Sequence, residues 1–182
     1  MDCGTGIKKT VVAVAKDEAF CFYYEDNLDI LRKLGAEIQY FSPIHDRNLP
    51  VETCAVYLGG GYPELHAKAL SENISMWNAI RQAVMEEVPC IAECGGYLYL
   101  KDSIVDPDGV EWPMAGVLPG SSRDTGKLGR FGTPFPCLCF IDQARTKVCI
   151  NSHLFSRHSV QGEPGSYLGD PFRPLGNDNE LD

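Results

Sequence analysis

The patterned part of the chain opens on five consecutive apolar residues, Val11-Val12-Ala13-Val14-Ala15. A β-branched run without polar alternation fits a strand buried on both faces, as in a parallel sheet. A polar turn follows. Glu25-Asp26-Asn27 then offers capping chemistry ahead of Leu28, Leu31 and Leu34, which share one helical face. Gly35 is placed to end that helix in the left-handed conformation. Glu37-Ile38-Gln39-Tyr40-Phe41 reads as the next strand, closed by Ser42-Pro43. Cys54-Ala55-Val56-Tyr57-Leu58 reads as another, closed by Gly59-Gly60-Gly61.

Pro63 suits the first turn of a short helix around Leu65 to Leu70. Ile74, Trp77, Ile80 and Val84 form one stripe and predict a longer helix from about Asn73 to Glu87, broken by Pro89. Cys90-Ile91-Ala92-Glu93 is a fourth short strand. This alternation predicts an α/β fold, a three-layer sandwich around a mainly parallel sheet. Ligands bind such sheets at the carboxyl ends of strands. Two glycine-rich segments fall there, after Leu58 and after Glu93.

Beyond Leu100 the pattern weakens. Asp106-Pro107-Asp108-Gly109 marks a turn between two short apolar pieces. The segment from Gly120 to Gly132 is glycine-rich and polar, and from Thr133 no clean period remains. The reading is one domain over residues 1–160, without internal repeat or linker, and a disordered tail over 161–182.

Composition narrows the classes. The 182 residues are 44% hydrophobic and 23% charged, ordinary values for one globular domain. A formal net charge of −9 repels phosphate backbones and anionic lipid, so neither nucleic acid nor membrane is an expected partner. No apolar stretch approaches the roughly 20 residues of a spanning helix. The polar start, Met1 to Lys9, lacks the pattern of a secretion signal, and a cytoplasmic setting is expected. The eight cysteines then read as free, mostly buried thiols. Cys137-Leu138-Cys139 is too tight for a zinc knuckle, so no metal site is expected. A phosphate loop is also disfavoured. The nearest approach, Gly120 through Gly126-Lys127-Leu128, has the wrong spacing and ends on leucine where a hydroxyl should bind magnesium.

Ala92-Glu93-Cys94-Gly95-Gly96 carries the strongest chemical signal. A nucleophile on a sharp strand-to-helix turn needs small residues two positions to either side, and Ala92 and Gly96 supply them. Such a turn projects the Cys94 sulfur outward and aims the next helix's amides and dipole at it, favouring a thiolate. The alternative is a core cysteine followed by a glycine turn. The three glycines after Leu58 let the backbone approach a ligand and turn amides toward a developing oxyanion. Gly60, Gly61 and Gly95 are the candidate oxyanion and substrate-binding residues. A plain tight turn is the alternative.

Three segments occur in a telling order: Phe22-Tyr23-Tyr24-Glu25-Asp26-Asn27-Leu28, Tyr57-Leu58-Gly59-Gly60-Gly61-Tyr62-Pro63-Glu64 and Ala92-Glu93-Cys94-Gly95-Gly96-Tyr97-Leu98-Tyr99-Leu100. With Phe41-Ser42-Pro43, Gly116-Val117-Leu118-Pro119-Gly120 and Arg130-Phe131-Gly132, they closely resemble the glutaminase domain of cobyrinic acid a,c-diamide synthases. These are class I, triad-type glutamine amidotransferases of cobalamin biosynthesis. The resemblance covers about residues 10–132 and implies the class I amidotransferase (flavodoxin-like) fold. It implies glutamine as substrate, Cys94 attacking the side-chain amide, and a histidine shuttling the proton. The ammonia would pass to an ATP-dependent synthetase domain that amidates corrinoid carboxylates. No cofactor is expected in the glutaminase domain itself. ATP and magnesium would serve only the synthetase domain, which this chain lacks.

The chain departs from the family after Gly132. The family continues with a tyrosine-led strand and, later, a Gly-His-Glu-Phe-His segment whose second histidine is the base. Here Thr133-Pro134-Phe135-Pro136 follows, and then Ser152-His153-Leu154-Phe155-Ser156-Arg157-His158-Ser159. His153 stands near the place of the first family histidine. Strict alignment from it puts Ser156 at the base position, and His158 reaches that position with a small shift. His158 and His153 are therefore both candidate bases, with ordinary surface histidines as the alternative. His45 and His66 are expected to be solvated. The change at Thr133 suggests that the remaining C-terminal segment has been replaced or read in another frame. Three functions follow: a working glutaminase, a catalytically impaired domain serving as an interaction module for a synthetase, or a different cysteine-dependent hydrolase on the same fold, such as a peptidase.

Overall fold

Side chains of the first strand, β1 (Thr10–Ala15), alternate between two faces, and both faces are covered. Val12 and Val14 pack with Leu28 and Tyr57 on one side. Ala13 and Ala15 join Leu58, Leu70, Met76, Ile80, Ala92 and Leu98 on the other. An uninterrupted apolar run therefore occupies the centre of a three-layer α/β sandwich. The computed structural model describes residues 9–123 and, as backbone alone, 124, 138–141, 147–151 and 158–161.

After β1 come β2 (Phe20–Phe22), α1 (Glu25–Lys33), β3 (Ala36–Phe41), β4 (Thr53–Leu58) and β5 (Gly60–Gly61). A 3-10 turn (Pro63–His66), α2 (Ala67–Glu72), α3 (Ile74–Met85), β6 (Cys90–Glu93) and α4 (Gly95–Tyr99) follow. Six short strands complete the description: β7 (Lys101–Val105), β8 (Glu111–Pro113), β9 (Leu118–Asp124), β10 (Leu138–Ile141), β11 (Lys147–Asn151) and β12 (His158–Gln161). The main sheet has the order β10-β11-β6-β4-β1-β3. All its pairings are parallel except that of the edge strand β10 with β11. A second sheet runs β12-β9-β7-β8, and β2 pairs with β5 in a two-stranded ribbon.

Several expectations need correction. Tyr24, not the Glu25-Asp26-Asn27 run, is the N-cap of α1, and it makes no side-chain capping bond. Glu25 and Asp26 instead occupy the first turn, where their charge complements the helix dipole. Leu34 lies past the last helical residue and is 79% exposed, so the expected leucine stripe ends at Leu31. Gly35 does adopt φ +92°. In α3 the buried stripe is Met76, Ile80 and Val84, with Trp77 half-buried and Ile74 exposed. Asn73 caps that helix by accepting from the Met76 amide, while its side-chain nitrogen donates to the carbonyls of Pro43, Ile44 and Asp46. The turn expected at Asp106–Gly109 joins β7 to β8, which pair antiparallel; the sequence pattern does not mark β2, β5 or β9. Gln161 belongs to β12, and the remainder of the expected tail, 162–182, lies outside the described residues.

Leu28 is 2% exposed and fills the α1 side of the sheet. Leu28→Ala is expected to cost about 2–5 kcal/mol of unfolding free energy. Leu34→Ala should stay within about 0.5 kcal/mol. Urea denaturation of the two variants checks the contrast.

Candidate active site

β4 and β6 are adjacent and parallel, with Leu58 opposite Ala92. Their carboxyl ends therefore open side by side, and Gly60 and Cys94 follow at the same distance beyond each. A Cβ built on Gly60 would lie 3.8 Å from the Cβ of Cys94. The two glycine-rich segments singled out by sequence thus form one site.

Cys94 has φ 48° and ψ −109°. L-residues rarely occupy such a conformation, and holding it costs on the order of 1–3 kcal/mol. The surrounding contacts enforce it. Gly96 donates its amide to the Gly59 carbonyl at 2.9 Å, and the Cys94 carbonyl accepts from Tyr97 and Leu98 as α4 begins. A Cβ on Gly96 would meet the Leu58 carbonyl oxygen at 2.2 Å, so strand and helix could not close on the turn. Ala92, two residues before the cysteine, is fully buried. The small-residue spacing read from sequence has this steric origin.

The glycine loop is fixed from its other side by β2. Phe22 pairs with Gly60, and Phe20 with Gly61. At Gly61 a Cβ would fall 1.9 Å from the Ala19 carbonyl oxygen, which itself accepts from the Tyr62 amide. The exposed rings of Phe22 and Tyr62 meet edge to face at 5.4 Å beside this loop.

The thiol of Cys94 is half-buried, and the amides of Gly95 and Gly61 hydrogen-bond its sulfur. Burial nonetheless pushes its pKa up. The two amides oppose this, and the carboxylates of Glu64 and Glu93 add to it. The expectation of a resting thiolate is therefore corrected. α4 has only five residues, too few for a strong dipole, and two acids lie near the sulfur. Glu64 is buried in the 3-10 turn. Glu93 is also buried, and its Oε2 accepts from the Tyr57 hydroxyl at 2.6 Å. Sequence reading gave neither acid a role, although both lie within the motifs.

The candidate histidines fare unequally. His158 lies on β12, opposite Asp124 of β9 in the second sheet. His153 lies outside the described residues. His45 is exposed and pairs with Glu18 at 3.1 Å, while His66 ends the 3-10 turn. Among the described residues Cys21 is exposed, Cys54 and Cys94 are half-buried and Cys90 is buried. No three His, Cys, Asp or Glu side chains gather there as a metal site. No helix among them is long and apolar enough to cross a membrane.

Comparison with known proteins places residues 11–130 in the CobB/CobQ-like glutamine amidotransferase domain family. A cobyrinate a,c-diamide synthase of Herminiimonas arsenicoxydans is 44% identical over 121 residues, 66% of this chain and 28% of that protein. One of Dehalococcoides mccartyi (strain CBDB1) is 49% identical over 123 residues, 68% of this chain and 27% of that protein. One of Salmonella typhimurium is 46% identical over 121 residues, 66% of this chain and 26% of that protein. The matched stretch thus spans little more than a quarter of each relative.

The raised thiol pKa sets a pH dependence. Below its midpoint the sulfur is neutral, so alkylation by iodoacetamide should rise with pH and keep rising beyond the midpoint of an ordinary cysteine. Glu64→Gln removes one repelling charge and should move the profile to lower pH. Mass spectrometry of Cys94 adducts over a pH series reads both effects.

Proposed function

Because the chain belongs to the CobB/CobQ-like glutamine amidotransferase domain family, we propose that it hydrolyses glutamine at Cys94 and delivers ammonia to an ATP-dependent synthetase. The observation that carries this reading is the positive-φ Cys94 turn with the Gly61 and Gly95 amides on its sulfur. Cys94 Sγ attacks the side-chain carbonyl carbon of glutamine while its proton passes to a histidine. The carbonyl oxygen gains charge, and the amides of Gly60, Gly61 and Gly95 are the nearby donors to hold it. The carbon–nitrogen bond then breaks, the nitrogen takes the proton from the histidine, and ammonia leaves. Water hydrolyses the remaining γ-glutamyl thioester to glutamate, returning the proton to sulfur.

A neutral resting thiol makes the histidine essential, since attack and proton removal must go together. Asn151, the last residue of β11, pairs with Glu93, the residue before the nucleophile. His153 follows Asn151 by two residues in sequence. That register supports His153 as the base over His158, which β12 places against β9.

The relatives named cobyrinate a,c-diamide synthase support corrinoid carboxylates as the ammonia acceptor. Under this reading the synthetase partner supplies the ATP and magnesium chemistry, and the reaction runs in the cytoplasm. The test is glutamate release from glutamine by the 182-residue chain, with and without a separately supplied synthetase domain. Release is expected, together with a Cys94 adduct from a chloroketone analogue of glutamine. Cys94→Ala should lower hydrolysis at least about 1,000-fold. No glutamate and no adduct in a folded sample would overturn the proposal and favour the interaction-module reading.

A further inference from the structure

Tyr23 has been given no part in the chemistry, yet its hydroxyl joins the two central strands where the site begins. It donates to the carbonyl of Ala15, the last residue of β1, and accepts from the Gly59 amide at 2.9 Å. Gly59 is the first residue beyond β4. Its carbonyl accepts from the Gly96 amide at 2.9 Å, in the first turn behind Cys94. The Gly59 residue is therefore held at both ends, by Tyr23 on its N–H and by the elbow helix on its C=O. The ring lies directly over it, since a Cβ on Gly59 would come within 2.3 Å of Tyr23 Cε1. Tyr57 fixes the ring in turn, edge to face at 5.3 Å. Gly60 and Gly61 follow immediately, and the Gly61 amide is one of the two at the sulfur.

We propose that the Tyr23 hydroxyl is the positioning residue for the oxyanion loop, clamping Gly59 so that the next two amides face Cys94. This deepens the glutaminase reading, and its kinetic arm rests on that reading. Without the hydroxyl, the Gly59 amide keeps no partner in the clamp. The Gly59–Gly61 segment then keeps β2, the Gly96 bond and the Gly61 contact to the sulfur, none of which holds the Gly59 amide. A glycine triplet is the segment least able to keep a direction by itself. Misplacing a donor by a fraction of its hydrogen-bond length weakens transition-state stabilisation and leaves substrate binding nearly intact. Burial pushes the Tyr23 pKa up, which keeps the hydroxyl protonated, and so able to donate, through neutral pH.

Tyr23→Phe keeps the ring and removes only the hydroxyl. The expected result is a kcat for glutamine hydrolysis lower by about 10- to 100-fold. KM should stay within about twofold. The pH midpoint of Cys94 alkylation by iodoacetamide should rise, because the Gly61 amide then stabilises the thiolate less. A merely structural role would leave that midpoint where it is. Amide hydrogen exchange gives a second readout that needs no activity. The Gly59 amide should be protected in the parent chain and exchange at least about tenfold faster in Y23F, while β1 amides keep their rates. Unchanged Gly59 exchange in Y23F, or an unprotected Gly59 in the parent, would overturn the clamp. If Y23F fails to fold, the parent measurement decides alone. An inactive parent chain would sink the glutaminase reading and leave the exchange experiment to judge the clamp.

Discussion

The site depends on one register: the parallel pairing of β4 with β6 that sets Leu58 against Ala92. Everything chemical lies within a few residues of those two positions. A slip of one residue would turn side chains to the opposite face and separate Gly60 from Cys94. The register is held by burial, because Leu58 and Ala92 are both fully enclosed in the same apolar cluster. Packing in the core thus decides the geometry at the surface.

That constraint explains why strain at Cys94 is tolerable. An unfavourable backbone conformation persists only where its surroundings over-determine it. Here the preceding strand is buried and the next residues begin a helix. The Gly96 amide is also tied across to the glycine loop. The same enclosure removes water from the sulfur, and burial outweighs the two amides that favour the charged form. The resting thiol is neutral, so the amides act on the charge that develops during attack. Electrostatic stabilisation is worth most where it differs between ground and transition states.

The sequence revealed the elements whose burial is simple. β1 is apolar from Val11 to Ala15 because both faces are covered there, and the glycine and alanine positions around Cys94 follow from close backbone approach. Helix boundaries were less legible. Leu34 looked like part of a stripe because periodicity does not register where a helix stops, and it emerged exposed at the C-cap. β9 contains glycine, serine and proline and pairs through its backbone within the second sheet, so its side chains carry little pattern. The electrostatics of the thiol were also hidden. Local sequence named the amides but not the depth of burial or the nearness of Glu64, which only the tertiary fold supplies. The histidine was the least legible part, since the sequence around His153 and His158 shows no clean period to place either side chain.

Tyr23 shows why such positioning groups escape sequence reading. A tyrosine before a helix resembles any aromatic residue at an element boundary, and its neighbours Phe22 and Tyr24 are exposed. Only the half-buried middle residue turns its ring inward, because β2 pairs with β5 and fixes the direction of the ribbon. Its hydroxyl then meets one acceptor and one donor from two different strands. The sequence separation is large, but the coupling is short in space, since Ala15 and Gly59 close neighbouring parallel strands. The same sheet that aligns the nucleophile with the glycine loop therefore also aligns the group that holds the loop in place.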